Sequence, residues 1–222
     1  MKREFLQTGD GSYTIHLPQW NEQYHSKHGA IQEAQHVFIE AGLQFYVKAT
    51  QERSLSILEI GFGTGLNALL TQQWVLKQSC KIDYTGIEAY PVTLEEIAKL
   101  NYPELLQIPE LDFKKLHEVA WGEYAKISKQ FSLKKEQIFF SEISYEDAFN
   151  IIYFDAFGAR VQPELWTQAI FQKMYDALQP NGVLVTYAAK GSVRRAMQDI
   201  GFRVERLQGP PGKRHMLRAI KN

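Results

Sequence analysis

Residues 55–67 read Leu-Ser-Ile-Leu-Glu-Ile-Gly-Phe-Gly-Thr-Gly-Leu-Asn, an apolar run that breaks into three glycines. An apolar helical pattern over residues 66–75 follows at once. Ile57, Leu58 and Ile60 have the character of a strand covered on both faces, as in a parallel sheet. Gly61, Gly63 and Gly65 then fall at the carboxyl end of that strand, where open α/β sheets bind their ligands. Lacking Cβ atoms, they let the chain turn sharply and let a ligand lie against the backbone. The Gly-x-Gly-x-Gly spacing is not the Gly-x-Gly-x-x-Gly of the dinucleotide fingerprint, and the loop has no P-loop lysine. Glu59, just before the turn, would repel a pyrophosphate. It suits a cofactor that carries an amino group and a positive charge.

Strands and helices alternate from there. Residues 82–87 predict a second strand that ends in Glu88, which lies 23 residues beyond Gly65. That is close to the spacing of about 20 at which an acid meets the ribose hydroxyls of a nucleotide cofactor. A third strand, expected over residues 137–140, leads to Glu142, placed to receive an adenine amino group. A fourth, over residues 151–154, leads to Asp155, and a fifth spans residues 183–187. One such acid is most simply a helix cap or a solvated surface residue. Four acids at four successive strand ends, with a glycine loop on the first, point instead to S-adenosylmethionine. The cofactor set is then Glu59, Gly61, Gly63, Thr64, Gly65, Asn67, Glu88 and Glu142.

Helices are expected over residues 92–100, 163–178 and 193–200, and an antiparallel pair over 202–207 and 216–220 closes the pattern. Residues 102–127 read as mixed, helical in parts. Upstream, residues 4–8 and 13–17 flank Gly9-Asp10-Gly11-Ser12, a hairpin turn, and residues 30–47 read as an amphipathic helix. The expected architecture is α/β: a Rossmann-like, mostly parallel sheet with helices on both faces. Residues 1–50 form an extension packing on a core domain of residues 51–222.

The 222 residues carry 25 basic and 25 acidic side chains, so no overall field announces a nucleic-acid partner. The charge is nevertheless uneven. Residues 190–222 hold nine basic side chains against Asp199 and Glu205, a net +7 balanced by −7 over the rest of the chain. Such asymmetry marks a localised anion-binding face. Cys80 is the only cysteine, which excludes an internal disulfide or a cysteine zinc cluster and favours a cytoplasmic protein. No stretch approaches the ~20 apolar residues of a membrane span, and no basic-then-apolar leader is evident. The six histidines show no metal-ligand spacing, so no metal is expected.

On the substrate side, Asp155-Ala-Phe157-Gly-Ala-Arg160 runs from the fourth strand toward Pro163, well placed in a helix's first turn. Asp155 is the expected catalytic group, and Phe157 is balanced between core packing and stacking on a planar substrate. Lys190, Arg194 and Arg195 follow the fifth strand, and Lys213 and Arg214 sit in the loop Gly209-Pro-Pro-Gly-Lys-Arg. Together they could clamp phosphates, helped by helix N-terminal amides.

These residues together resemble the MnmC/MnmD family of tRNA wobble-uridine methyltransferases over nearly the whole chain. The matching segments are Tyr24-x-Ser26…Gly29…Glu33, Glu59 to Asn67, Gly86-Ile-Glu88-Ala, Asp155-Ala-Phe157…Pro163-Glu-Leu-Trp166, Thr186 to Gly191 with Val193-Arg-Arg195, and Gly212-Lys-Arg-His-Met-Leu217. The resemblance implies a class I methyltransferase fold that methylates 5-aminomethyl-2-thiouridine at the tRNA wobble position. The product would be 5-methylaminomethyl-2-thiouridine, and the partner the anticodon stem-loop. Some members carry a second, FAD-dependent domain, and the resemblance covers only the methyltransferase part, so a stand-alone enzyme is expected. Arg160 stands where the family commonly has lysine, and Glu142 where it has aspartate. Two other readings remain at this level. One is a small-amine methyl- or aminopropyltransferase of the same fold, against which the basic tail argues. The other is a non-catalytic RNA-binding module that retains a cofactor pocket.

Overall fold

The computed structural model describes residues 2–222. Strands β1 (Glu4–Gln7), β2 (Tyr13–Leu17) and β3 (Glu22–Gln23) form a small antiparallel sheet. A continuous helical rod follows: α1 (Ala30–Ala34), a π-helical stretch Gln35–Gln44, and α2 (Phe45–Thr50). It stops at Gln51, whose backbone is left-handed at φ 61°. The hairpin and helix expected upstream are both present, and the helix extends past residue 47.

The main sheet has eight strands: β4 (Ser54–Ile60), β5 (Lys81–Ile87), β6 (Tyr124–Lys126), β7 (Phe131–Glu136), β8 (Phe149–Phe154), β9 (Leu178–Thr186), β10 (Arg203–Gln208) and β11 (His215–Ile220). Its order is β10-β11-β9-β8-β4-β5-β7-β6. β4 pairs in parallel with both β5 and β8. The antiparallel pairs are β6 with β7 and β11 with both β9 and β10. The chain moves outward from β4 through β5 to β7, then returns to β8 and moves the other way to β9. The topological switch point therefore lies between β4 and β8, where such sheets open a ligand crevice.

Alternation along the strands divides the core into two layers. Ile57, Tyr84, Ile151, Tyr153 and Val185 meet the helical rod, α3 (Leu66–Val75) and α6 (Glu110–Glu118) on one face. Leu58, Ile60, Ile152, Phe154 and Leu184 meet α7 (Gln168–Ala177) and α8 (Gly191–Ile200) on the other. Each fully buried Ile or Leu contributes about 1.5–3 kcal/mol, and that burial sets the register that aligns the strand ends. The rod packs closely on the sheet: a Cβ at Gly42 would lie 2.9 Å from Val185 Cγ2.

Residues 92–118 contain only short helices, α4 (Leu94–Ile97), α5 (Tyr102–Leu106) and α6, and strand β6 follows. Thr93 and Glu96 form a capping box at the start of α4. The third strand is displaced from its expected position. It spans Phe131–Glu136, while residues 140–142 form a 3-10 turn. Polar letters hide the alternation of Phe131, Leu133 and Lys135, all of which point inward. Lys135 is buried with its Nζ donating to the His117 carbonyl at 2.7 Å and lying 5.0 Å from the Trp121 ring centroid. Burial lowers its pKa to about 8.

Asn150, buried on β8, ties three elements together. Its Oδ1 accepts from Ser56 N–H at 2.7 Å, and its Nδ2 lies 3.1 Å from Tyr46 Oη and 2.9 Å from Gln179 Oε1. Removing it leaves those groups unpaired, at a cost of about 1–3 kcal/mol. Asn150→Ala should therefore lower the urea midpoint, with cofactor affinity in the native range unchanged.

Candidate active site

The carboxyl ends of β4, β5 and β8 open into a cavity of about 1130 Å³. The small N-terminal sheet closes its other side with Trp20, Tyr24 and His25. The glycine loop is docked at its base, where Gly61 and Phe62 N–H both donate to the Ile87 carbonyl, at 3.0 and 2.9 Å. Gly61 has φ 91°, and a Cβ there would lie 2.8 Å from the Asp155 carbonyl oxygen. Gly63, at φ 49°, faces the Tyr24 ring, which a Cβ would approach to 3.1 Å. Both positions need glycine for backbone angle and for space.

Glu59 and Asp155 meet through a single side chain. Asn67, in the first turn of α3, gives Nδ2 hydrogens to Glu59 Oε1 at 2.8 Å and to Asp155 Oδ2 at 2.9 Å. Glu59 is buried, and its Oε2 has no partner among the described residues. Burial first, and Asp155's charge second, push its carboxyl well above the usual carboxylate range. Asp155, half-buried at the end of β8, is shifted the same way by burial and then by Glu33, against weaker opposition from Asn67 and Lys213. Glu88 accepts from the Gly63 N–H at 3.0 Å and the Tyr90 N–H at 2.9 Å, which ties the acid after β5 to the glycine loop.

Deeper in the wall, the buried Glu33 carboxylate from α1 is ion-paired with Lys213 and also accepts from Ser26 N–H at 3.1 Å. The Lys213 ammonium lies 3.9 Å from the Tyr187 ring centroid, while Tyr187 Oη donates to the Ala156 carbonyl at 2.8 Å. Phe157 meets Tyr24 edge-on at 4.9 Å between centroids and Trp20 at 5.7 Å, forming an aromatic corner beside Asp155. His25 sits behind Thr64, its Nε2 3.4 Å from Thr64 Oγ1. Burial lowers its pKa to about 4, which keeps it neutral at pH 7.

Of the residues singled out in the sequence, Gly61, Gly63, Thr64, Asn67, Glu88, Asp155, Phe157 and Lys213 line one cavity. Glu59 lies just beneath it, held through Asn67, and Gly65 packs against the His117 ring. Glu142 is elsewhere: it is exposed on the 3-10 turn after β7, accepting from Phe139 N–H at 2.7 Å. Arg160 also stays outside, donating to the Trp20 and Asn21 carbonyls and the Glu22 carboxylate at 3.0–3.3 Å. Lys190, Arg194, Arg195 and Arg214 are exposed and make no ion pair or side-chain hydrogen bond among the described residues. Lys213 is not part of that free set, since Glu33 holds it. Sequence reasoning assigned no site role to Trp20, Tyr24, Glu33 or Tyr187, although the last three lie in segments that carry the family resemblance. Glu33 had left a trace, a carboxylate on the inner face of a helix.

The unpartnered Glu59 oxygen, the acid-lined crevice and the glycine cradle fit a cofactor with cationic and ribose groups. Fold and site together define a class I methyltransferase. The family described as S-adenosyl-L-methionine-dependent methyltransferase matches residues 107–222, and the chain belongs to it. Relatives named tRNA 5-methylaminomethyl-2-thiouridine biosynthesis bifunctional protein MnmC include one from Cupriavidus necator, 32% identical over 90% of this chain and 32% of its own length. Another, from Burkholderia mallei, is 27% identical over 92% of this chain and 33% of its own. The chain thus spans about a third of the curated relatives it matches. Among solved structures, MNMC2 from Aquifex aeolicus superposes with a TM-score of 0.79 at 25% identity, covering 98% of this chain and 70% of that one. Spermidine synthase from Thermotoga maritima shares the fold, with a TM-score of 0.59 at 14% identity over 99% of this chain and 68% of that one.

Two outcomes follow from the geometry. Gly61→Ala should weaken S-adenosylmethionine binding by at least ~10-fold in titration calorimetry, because the backbone itself must move. The raised carboxyls make the second a question of pH. A carboxyl whose pKa is higher folded than unfolded binds more protons in the folded state between the two values, so stability falls as pH rises through that window. Asp155→Asn should therefore raise the melting temperature of the ligand-free protein near pH 7.5, by about 2–4 °C for each kcal/mol recovered.

Proposed function

We propose that this chain methylates the primary amine of 5-aminomethyl-2-thiouridine at the wobble position of tRNA, giving 5-methylaminomethyl-2-thiouridine. The observation that carries this reading is the placement of Asp155 beside the Phe157–Tyr24–Trp20 corner, within a cavity that exceeds the ~300–1,000 Å³ of ordinary small-molecule sites. Such a cavity has room for a nucleobase beside an adenosyl cofactor. The names of the MnmC relatives support the substrate. In this reading the protein works in the cytoplasm on the anticodon stem-loop.

The cofactor supplies a methyl group as a sulfonium electrophile. Gly61, Gly63, Thr64, Asn67 and Glu88 would hold it, with Glu59 behind them. The chain's own task is to prepare the amine. A primary alkylamine has a pKa near that of lysine, about 10, and an ammonium has no lone pair. The aromatic corner strips water from it and lowers that pKa, while a carboxylate beside it orients the group. Asp155 accepts the proton, and Asn67 holds Asp155 in place through one oxygen. Holding the nucleophile in line then provides most of the acceleration.

Four exposed cations, Lys190, Arg194, Arg195 and Arg214, would take the phosphates of the stem-loop. They follow Tyr187 and Lys213, which line the cavity, so phosphates bound there would place a splayed-out base at the opening. Arg160 and Lys213 take other roles in this scheme, bracing the β2–β3 turn and the Glu33 carboxylate.

The deciding experiment is methyl transfer from labelled S-adenosylmethionine to bulk tRNA from cells that lack this enzyme, followed by nucleoside analysis. Label should appear in 5-methylaminomethyl-2-thiouridine. Unlabelled tRNA, with the cofactor bound, would overturn the substrate and redirect the search to small amines. Asp155→Asn should cut turnover by about 10²–10⁴ while cofactor affinity changes far less. Reversing Arg194 and Arg195 to Glu should weaken tRNA binding and flatten its salt dependence by about 0.7–0.9 log units for each phosphate no longer neutralised. Cofactor affinity should not move in that variant.

A further inference from the structure

The Glu59–Asn67–Asp155 bridge is an unusual thing to build under a cation-binding crevice. One amide group serves two carboxyls, at 2.8 and 2.9 Å, and can give each only a single hydrogen. Glu59 Oε2 is buried with no partner among the described residues. The groups facing the pair add little positive charge. Lys213, from the β10–β11 loop, is ion-paired with Glu33 of α1, Glu88 lies beyond the glycine loop at the end of β5, and the remaining neighbours are the phenols of Tyr84 and Tyr153 on the Glu59 side and of Tyr187 on the Asp155 side. Two adjacent carboxylates with no dedicated cation cannot both ionise easily.

We propose that Glu59 and Asp155, joined through Asn67, hold one proton between them in the ligand-free protein and release it to solvent when a cationic ligand enters the cavity. Sulfonium binding thereby leaves Asp155 as a carboxylate before the amine arrives. The enzyme charges its base only when the cofactor is in place. Asn67 is the positioning residue, because its amide makes the two acids one titrating unit. The transfer step rests on the amine reading above and balances as follows. The substrate ammonium passes a proton to Asp155, the freed nitrogen lone pair forms the N–CH₃ bond, and the S–CH₃ bond breaks with its electrons left on sulfur. The product is a methylammonium and a neutral thioether, and the proton left on Asp155 restores the singly protonated pair as the products leave, so the one proton the overall reaction yields is the one released on cofactor binding. The step requires no further reactant.

The test needs no RNA. S-adenosylmethionine and S-adenosylhomocysteine are titrated into the protein by calorimetry at pH 6.5, in two buffers of different ionisation enthalpy. The two ligands share the α-amino and carboxylate groups, so their difference isolates the sulfonium charge. The expected result is release of about one proton for S-adenosylmethionine and clearly less for S-adenosylhomocysteine. Affinity for S-adenosylmethionine should rise with pH by up to about tenfold per unit. Asp155→Asn, which keeps the shape of the site, should abolish both the buffer dependence and the slope. Equal enthalpies in both buffers for the bound wild-type complex would overturn the proposal, as would equal release for the two ligands or undiminished release in Asp155→Asn. A protein that releases the proton but labels no tRNA keeps this linkage and loses the tRNA reading; one that labels tRNA without proton release does the reverse.

Discussion

The parallel pairing of β4 with β8 is the constraint on which the rest of the site depends. It aligns Ile60 with Phe154 and lets the Asp155 N–H reach the Ile60 carbonyl at 2.9 Å. Glu59, opposite Tyr153, and Asp155, two residues further on, therefore lie diagonally across the strand pair, close enough for one amide to hold both. Burial of Ile57, Leu58, Ile151 and Ile152, all fully enclosed, sets that pairing. A register slip of one residue would invert every side chain on a strand and separate the acids. Core packing thus fixes the placement of the acid pair in this molecule.

The N-terminal segment, distant in sequence from the glycine loop, completes the site. Trp20 and Tyr24 build the aromatic corner, and Glu33 holds Lys213 in the wall. Arg3 braces the far side, donating to Glu96 at 2.7 Å and to the Tyr90 carbonyl at 3.0 Å. The sheet supplies the acids, and the extension supplies desolvation. In the proposed amine methylation, desolvation matters because an amine must lose its charge before it can attack, and neither an exposed carboxylate nor an exposed ammonium would shift far enough.

The basic tail divides along the same line between inside and outside. Lys213, Arg218 and Lys221 are engaged by Glu33, Glu205 and Asp147, whereas Lys190, Arg194, Arg195 and Arg214 extend into solvent. A net +7 in the sequence thus reduces to a smaller free set. No helix is long and apolar enough to cross a membrane among the described residues, and no cluster of three or more metal-ligating side chains occurs there.

Local pattern was enough to place the glycine loop, the α3 helix at residues 66–75, the acids Glu59, Glu88 and Asp155, and the closing antiparallel pair, because each is written in adjacent residues. It misplaced the third strand and, with it, Glu142, since a lysine pointing into an aromatic pocket carries no apolar signal. It also read Arg160 and Lys213 as free cations. Whether a charge is free depends on which carboxylate or carbonyl the fold brings to it, and here those partners come from more than 130 residues away. Periodicity and turn chemistry, both local properties of the chain, were sufficient for most of the sheet, the glycine loop and three of the four acids at the strand ends. Folding alone settles that Glu59 and Asp155 share one amide donor, that Arg194 and Arg195 stay unpaired while Lys213 does not, and that Trp20 and Tyr24 pack against Phe157 in the cavity wall. Each of these is a contact between distant segments, and no local pattern encodes it.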